Sequence, residues 1–235
     1  MPAVRRQSAD PLERYYSRPK YVGPLATWLR MVASREVPSS ARGVANARSA
    51  LAPRARAVEP CVGHGHLILG AREHGLRVRN APWVTVDADP RARAALVHGD
   101  WTAKPSTWTA RWPRNTLRLY MRDASLVVTN PPFSIAIDVV EAAWRHCPGA
   151  VVAVLQRQSW YEPTRDREAF FREHPPDVIT IGRCTFLGRL GRAIVGKDGK
   201  RWSGDSTSYA WFVWGADRQG LAGGLARIIP WRSDD

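Results

Sequence analysis

The sequence predicts an α/β fold in which a mostly parallel sheet is covered by helices on both faces. Apolar, strand-like segments alternate along the chain with segments of helical period. The strand-like segments are almost continuously apolar, as is typical of strands that are buried on both faces. Right-handed βαβ units follow from this alternation, and 235 residues with 44% hydrophobic content suffice for one sizeable core.

The first elements are apolar runs that end in acidic or turn-forming residues. ARAVEP (55–60) is a short strand that ends in an acid and a proline, and HLILGAREHG (66–75) follows it with helical period. PWVTVDADP (82–90) is a strand rich in β-branched residues, and RARAALVHG (91–99) is a helix. SLVVTNPP (125–132) is a strand that runs directly into two prolines.

The later elements continue the same alternation. SIAIDVVEAAWRHC (134–147) is an amphipathic helix, GAVVAVLQR (149–157) a strand and TRDREAFFREH (164–174) a helix. DVITIGR (177–183) and the aromatic segment SYAWFVWG (208–215) are strands.

Three regions are predicted along the chain. Residues 1–57 form an N-terminal arm, in which 34–56 is a loose helix or a linker rich in Ser, Ala and Arg. Residues 58–216 form the core, which includes a basic, Gly-rich loop at 186–204, and residues 217–235 form a C-terminal tail.

Charge and cysteine usage limit the classes of function. The net charge of +14 and the pI of about 10.7 favour polyanionic partners, although a composition rich in Arg and Ala is an alternative explanation. No signal peptide is visible, and no apolar run approaches the length of a membrane span. The cysteines, Cys61, Cys147 and Cys184, are far apart without a CxxC pair, which indicates neither a disulfide framework nor a zinc site and favours a reducing cytoplasm.

A glycine motif, VEPCVGHGHL, lies between the first strand and the first helix of the alternation. Gly63 and Gly65 allow a tight turn and the close approach of a ligand, and the helix beyond them offers free N–H groups to an anion. Position 68 is Ile rather than the third glycine of a dinucleotide fingerprint, so a nicotinamide or flavin cofactor is disfavoured. His64 and His66 have poor spacing for zinc, and we predict no metal site.

Acidic residues follow successive predicted strands. Glu59 ends the first strand, Asp87 ends the second, and Asp100 in HGDW is expected at the end of the third. Ligands bind at the carboxyl ends of parallel strands, where an acid after the second strand can accept hydrogen bonds from both ribose hydroxyls.

The fourth strand ends in NPPF (130–133), where an amide, two rigid prolines and an aromatic ring follow a buried run. Together with EPCVGHG, VDADP and GDW in that order, this tetrapeptide resembles the S-adenosylmethionine-dependent amino-methyltransferases. The sequence is most similar to DNA adenine-N6 methyltransferases of the small, phage-like type, over roughly residues 15–215. A strand that ends in an ordinary proline turn, with Phe133 in the core, is the alternative explanation.

The resemblance implies a Rossmann-like class I methyltransferase fold whose seven-stranded, mostly parallel sheet ends in an antiparallel strand. It also implies that Asn130 and the Pro131 carbonyl accept the two hydrogens of the substrate amine, that Pro131 and Pro132 hold these acceptors rigid, and that the extruded base stacks on Phe133. The N-terminal arm would cover S-adenosylmethionine. The implied cofactor-binding residues are Tyr16, Ser17, Pro19, Glu59, Pro60, Gly63, Gly65, Asp87, Ala88, Asp100 and Trp101.

We expect no separate DNA-recognition region, so loops are expected to contact the substrate. The candidates for nucleic-acid binding are basic residues of the Gly-rich loop: Arg189, Arg192, Lys197, Lys200 and Arg201. A flexible, solvated hairpin is the alternative for this loop. We therefore expect DNA as the partner, with low or short sequence specificity or with help from a sequence-reading partner or a homodimer, in a bacterial or phage-infected cytoplasm.

Other functions stay open at this point. A second enzymatic interpretation is methylation of an RNA base amine or of a protein glutamine, since these substrates also present a planar amine. A third is a nucleic-acid-binding module that retains the fold without the chemistry. Cytosine-C5 methylation is disfavoured, because Cys61 lies in the glycine motif and the strand that would carry the catalytic Cys ends in Asn130.

Overall fold

The computed structural model describes residues 17–37, 39–53, 55–63, 65–76, 83–87, 102–105, 122–162, 164–186, 207–215 and 226–228. For 85–87, 102–105, 165–166 and 226–228 it describes the backbone alone. Several sequence predictions lie outside these ranges: the helix 91–99, Tyr16, Ala88, Asp100, Trp101 and the five basic residues of the Gly-rich loop.

The described strands form one mixed sheet. They are β1 (Ala57–Glu59), β2 (Val84–Asp87), β3 (Thr102–Pro105), β4 (Leu126–Thr129), β5 (Val151–Arg157), β6 (Asp177–Arg183), β7 (Ser208–Trp214) and β8 (Ala226–Ile228). Within the described chain the sheet has eight strands in the order β3-β2-β1-β4-β5-β7-β6-β8. Strand β7 is antiparallel to both of its neighbours, and the other pairs are parallel.

The sheet corrects one detail of the predicted fold. We predicted seven strands with an antiparallel last strand, but the antiparallel strand β7 is followed by β8, which pairs in parallel with β6. The physical reason is that β6 lies at the edge of a seven-stranded arrangement, and an edge strand offers free backbone groups to any further segment that reaches it. Residues 226–228 supply that segment from within the predicted tail.

Helices cover both faces of the sheet, as predicted. They are α1 (Val22–Ala33), α2 (Ala41–Leu51), α3 (His66–Glu73), α4 (Ala136–His146) and α5 (Arg165–Glu173). Residues of α1, α2 and α3 share one buried apolar cluster, and residues of α4 and α5 share a second. Side chains alternate along β5 between these clusters, since Val151 belongs to the first and Val152 to the second.

The segment predicted as a loose helix or linker contains α2, which is part of the core. Ser40 caps this helix, because its Oγ accepts a hydrogen bond of 2.9 Å from the Gly43 N–H. Val44, Ala47 and Ala50 are buried. The small apolar residues of this Ala-rich stretch therefore form one face of a helix that packs against the sheet.

The third strand differs from its prediction. We expected Asp100 at its end, but β3 begins at Thr102, so Asp100 precedes this strand in the chain. Strand β3 lies at the edge of the sheet and carries Lys104 and Pro105, residues that are tolerated where one side of a strand stays unpaired. Because of this composition, β3 does not appear in the sequence as an apolar, β-branched run.

The helices of the described ranges include none with the length and apolar character that a membrane span requires.

Candidate functional site

Two turns meet at the carboxyl edge of the sheet. Strands β1 and β4 are parallel neighbours, with Ala57 opposite Leu126 and Val58 opposite Val127. The segments that follow these strands therefore leave the same edge side by side. We call residues 60–65 the glycine turn and residues 130–133 the proline turn.

The glycine turn is shaped by its backbone. Gly63 and Gly65 have φ values of 52° and 76°, in the left-handed region that favours glycine. The Gly65 N–H donates a hydrogen bond of 2.8 Å to the Val62 carbonyl, and α3 begins at the next residue. Glu59, at the end of β1, is almost fully buried, and its Oε1 accepts a hydrogen bond of 3.4 Å from the Cys61 N–H. The turn thus presents backbone, beside a buried carboxylate, at the edge of the sheet.

The proline turn is shaped by residues whose backbone has little freedom, in contrast to the glycines of the glycine turn. Pro131 and Pro132 have fixed φ angles and no N–H. A single turn of 3-10 helix follows at Phe133–Ile135, where the Ile135 N–H donates a hydrogen bond of 3.1 Å to the Pro132 carbonyl. Helix α4 begins at Ala136, so the chain passes from strand to helix within six residues.

The structure brings Asn130 and Ser17 together, although 113 residues separate them. The Asn130 Nδ2 donates a hydrogen bond of 2.9 Å to the Ser17 Oγ. Ser17 is 4% exposed, whereas Asn130 is half-buried, so the amide is anchored at one end without being sealed in the interior. Because the two ends of an amide point in different directions, this bond turns Oδ1 away from Ser17.

The residues around Ser17 are fixed against the rest of the protein. A 3-10 helix at Pro19–Tyr21 packs on α3 so closely that a Cβ at Gly70 would lie 2.0 Å from the Pro19 carbonyl oxygen. The Tyr21 carbonyl accepts a hydrogen bond of 2.7 Å from the indole of Trp211 in β7. The Tyr21 hydroxyl lies 2.7 Å from both the N and the O of Thr185, and burial raises the pKa of this phenol. Pro19 and Ser17 thus belong to a segment with a fixed position next to the proline turn.

A residue that the sequence reasoning missed holds the Pro131 carbonyl. Gln156 Nε2, from β5, donates a hydrogen bond of 2.7 Å to this oxygen. Gln156 is 1% exposed. A signal for it exists in the sequence, since Gln156 is the only polar residue of the run VVAVLQ.

A second missed residue lies beside Phe133. The Arg157 guanidinium carbon is 4.8 Å from the centre of the Phe133 ring, within the range of a cation–π contact. Arg157 Nε also donates a hydrogen bond of 3.2 Å to the Tyr209 hydroxyl. Phe133 is half-buried rather than part of either core cluster, so the alternative of an ordinary core phenylalanine does not hold.

The other predicted site residues divide into two groups. Pro60 follows Glu59 in the glycine turn and is buried, and Asp87 ends β2, the neighbour of β1, with only its backbone described. Tyr16, Ala88, Asp100, Trp101 and the five basic residues lie outside the described ranges. Among the described residues, no group of three or more His, Cys, Asp and Glu side chains could hold a metal ion.

No protein-family model matches the sequence, and no curated protein matches it. Solved structures do resemble it, among them a putative RNA methyltransferase, PH1948, from Pyrococcus horikoshii, with a TM-score of 0.50, 13% identity and coverage of 86% of this chain and 87% of that one. The M protein of the type I restriction enzyme EcoKI aligns with a TM-score of 0.49 and 13% identity over 80% of this chain and 47% of its own. A type I restriction-modification methyltransferase subunit from Streptococcus thermophilus aligns with a TM-score of 0.46 and 13% identity over 75% and 44%.

These likenesses concern the fold. The match to PH1948 extends over most of both chains and shows that this protein has the Rossmann-like fold of that protein. The chain spans less than half the length of each of the two type I proteins.

Proposed function

We propose that this protein transfers a methyl group from S-adenosylmethionine to the N6 amine of adenine in DNA. The observation that carries the proposal is the proline turn, in which an anchored but accessible amide and a held carbonyl stand side by side at the carboxyl edge of the sheet. These are the two acceptors that an amine with two hydrogens requires.

The residues of the glycine turn fit the proposed cofactor. Two left-handed glycines let the backbone approach a ligand without a Cβ in the way, and the turn lies next to the proline turn through the β1–β4 pairing. When bound, S-adenosylmethionine supplies a methyl group that its sulfonium makes electrophilic. The residues that we propose to hold it are Ser17, Pro19, Glu59, Pro60, Gly63, Gly65 and Asp87, together with Tyr16, Ala88, Asp100 and Trp101 as predictions from the resemblance alone.

The role of the proline turn is to make a poor nucleophile reactive. The lone pair of an exocyclic adenine amine is delocalised into the ring. Acceptors at both of its hydrogens, Asn130 Oδ1 and the Pro131 carbonyl, pull the nitrogen toward sp³ geometry and return electron density to it. Because both acceptors are fixed before the substrate arrives, no reorganisation is needed during the reaction.

Charge near the proline turn supports a nucleic-acid substrate rather than a protein glutamine. The Arg157 guanidinium stands beside the Phe133 ring on which we propose that the base stacks. The net charge of the chain is +14, and a polyanion gains from both. RNA carries the same charge, so methylation of an RNA base amine is the alternative that the test must separate from DNA methylation.

The test is to identify the product. The protein is incubated with S-adenosylmethionine labelled in its methyl group and with duplex DNA, single-stranded DNA or RNA. Each nucleic acid is then digested to nucleosides for mass spectrometry. We expect label in N6-methyldeoxyadenosine, incorporated about a hundredfold to a thousandfold more slowly by the Asn130→Ala variant. Label in a ribonucleoside would establish the RNA alternative.

A thermal shift with S-adenosylhomocysteine separates the remaining alternatives. If no nucleic acid is labelled but S-adenosylhomocysteine still raises the melting temperature, the substrate is of another class, such as a protein glutamine. If it produces no shift either, the protein is a binding module without the cofactor site.

A further inference from the structure

We propose that Gln156 is a positioning residue for the methyl transfer inferred above, on which this proposal rests. Its side-chain amide fixes the direction of the Pro131 carbonyl, so that one lone pair of that oxygen stays aimed at the substrate amine. Gln156 acts through Pro131 and does not itself contact the substrate.

The identity of the contacting atom follows from the chemistry of the pair. A backbone carbonyl only accepts hydrogen bonds, so the group 2.7 Å from the Pro131 oxygen must be the NH2 of the Gln156 amide. A carbonyl oxygen has two lone pairs. The bond to Gln156 occupies one of them and leaves the second for another donor.

The proline turn needs a donor from outside. Residues 131 and 132 have left the β4 ladder and carry no N–H of their own, so they cannot be tied down by backbone hydrogen bonds that they donate. Strand β5 runs alongside, with Thr129 opposite Val154. Two residues further along each of these two segments, the register brings Gln156 to the level of Pro131.

The surroundings of Gln156 show that its amide is not there for packing. It points to the same side of β5 as Val152 and Val154, which belong to the apolar cluster under α4 and α5. Its Oε1 is buried and has no hydrogen-bond partner among the residues that the structure describes. An apolar side chain would avoid that desolvation cost, so the bond to Pro131 is what accounts for an amide here.

The two acceptors are thus held from opposite faces of the sheet. Ser17 reaches Asn130 beside Tyr21, which belongs to the cluster under α1, α2 and α3. Gln156 reaches Pro131 from the side of α4 and α5. Each acceptor is thus held by its own hydrogen bond from a different side of the sheet, which restricts its rotation when a substrate enters between them.

The test compares Gln156→Met, which keeps the length and apolar volume of the side chain but removes the donor, with Thr129→Val. Thr129 is a matched control, because it is fully buried at the same edge and its hydroxyl has no partner among the described residues. We expect Gln156→Met to lower kcat about tenfold to a hundredfold, as misplacement of a reacting group does. The affinity for S-adenosylhomocysteine should stay the same, and Thr129→Val should keep the wild-type kcat.

A second variant, Gln156→Glu, gives a readout that a structural role would not move. A protonated carboxyl can donate to the Pro131 carbonyl and an ionised one cannot. Burial favours the protonated form. The kcat of this variant should therefore decrease as the pH rises, relative to the wild type, and this pH profile decides the question if Gln156→Met does not fold.

The outcomes separate the two inferences. A wild-type kcat in Gln156→Met, or a Gln156→Glu variant whose kcat follows the wild-type pH profile, overturns the role of Gln156 alone. Equal losses of kcat in Gln156→Met and Thr129→Val also overturn it, because packing would then explain both. A wild-type protein that methylates no nucleoside overturns the proposed function and this inference together.

Discussion

The glycine turn and the proline turn lie side by side at one edge of the sheet, yet their shapes are fixed in opposite ways. The glycine turn depends on two residues that can adopt left-handed φ angles, Gly63 and Gly65. The proline turn depends on two residues that can adopt hardly any other φ, and on two side chains from elsewhere that hold its acceptors.

The difference follows from what each turn presents. A ligand that lies against the backbone needs the absence of side chains, which glycine provides at the cost of chain entropy. A substrate amine that is recognised by two oxygens needs those oxygens to be immobile, which proline and long-range hydrogen bonds provide. The comparison predicts that damage to the glycine turn weakens cofactor binding, whereas damage to the proline turn slows the chemical step.

The largest expected effect is that of Asn130→Ala. Removing a preorganised acceptor of the transition state should lower kcat about a hundredfold to a thousandfold. Affinity for S-adenosylhomocysteine, measured by calorimetry, should not change. Asn46→Ala is the matched control. It removes an amide that donates a hydrogen bond of 2.7 Å to the Gly215 carbonyl at the opposite edge of the sheet. An Asn130→Ala enzyme with the wild-type kcat would remove the distinction between the two turns.

Neutralising the basic loop should have the next largest effect, which is on the affinity for DNA. It tests whether the substrate contacts this loop in addition to the proline turn. The residues are Arg189, Arg192, Lys197, Lys200 and Arg201. The slope of log affinity for DNA against log salt should flatten by up to about 0.9 for each phosphate that the loop no longer neutralises. Per charge removed, replacing the exposed Arg48, Arg122 and Arg172 should change this slope less. If the neutralised variant has the same slope as the wild type, the loop has no role in binding DNA.

Gly65→Ala should show the reverse pattern to Asn130→Ala. Placing a Cβ at a φ of 76° costs about 1–2 kcal/mol and moves the turn, so affinity for S-adenosylhomocysteine should fall about tenfold. The kcat at saturating cofactor should be retained. Gly149→Ala is the control, since Gly149 also has a positive φ, of 97°, but lies before β5 at the other edge. It should lose similar stability and keep the affinity; a loss in both variants would indicate a general effect of unfolding.

The smallest effect requires no mutation of the turns. Cys61 is half-buried in the glycine turn, while Cys147 and Cys184 are buried, and burial raises the pKa of Cys147 to about 11. At pH 8, iodoacetamide should therefore modify Cys61 first. S-adenosylhomocysteine should slow that reaction severalfold and leave the other two thiols as internal controls. Modification at the same rate with and without it would place the cofactor away from this turn.

The elements with strong sequence patterns were predictable to within a few residues. The strand predicted at 149–157 is β5 at Val151–Arg157, and the helix predicted at 134–147 is α4 at Ala136–His146. Both have unbroken apolar or amphipathic periodicity. Strand β8, with three residues, is too short to show a period, and β3 carries the Lys and Pro of an edge strand.

The candidate site was predictable where the backbone chemistry is local. Glycines after β1 and prolines after β4 are visible as motifs in the sequence. Gln156 and Arg157 were missed because their roles arise from strand order: β5 lies beside β4 only once the sheet is formed. Ser17 was proposed as a cofactor contact, and its bond to Asn130 depends on a pairing between residues 113 positions apart.

The anchoring of the segment around Ser17 also has a consequence for synthesis on the ribosome. Tyr21 leaves the ribosome early, but its partners Thr185 and Trp211 are 164 and 190 residues further along the chain. At about 5–20 residues per second, those partners are made roughly ten seconds or more later. The segment that carries Ser17 therefore reaches its fixed position only after translation has passed β7, so a nascent or prematurely terminated chain lacks the contacts that hold the Asn130 amide in place.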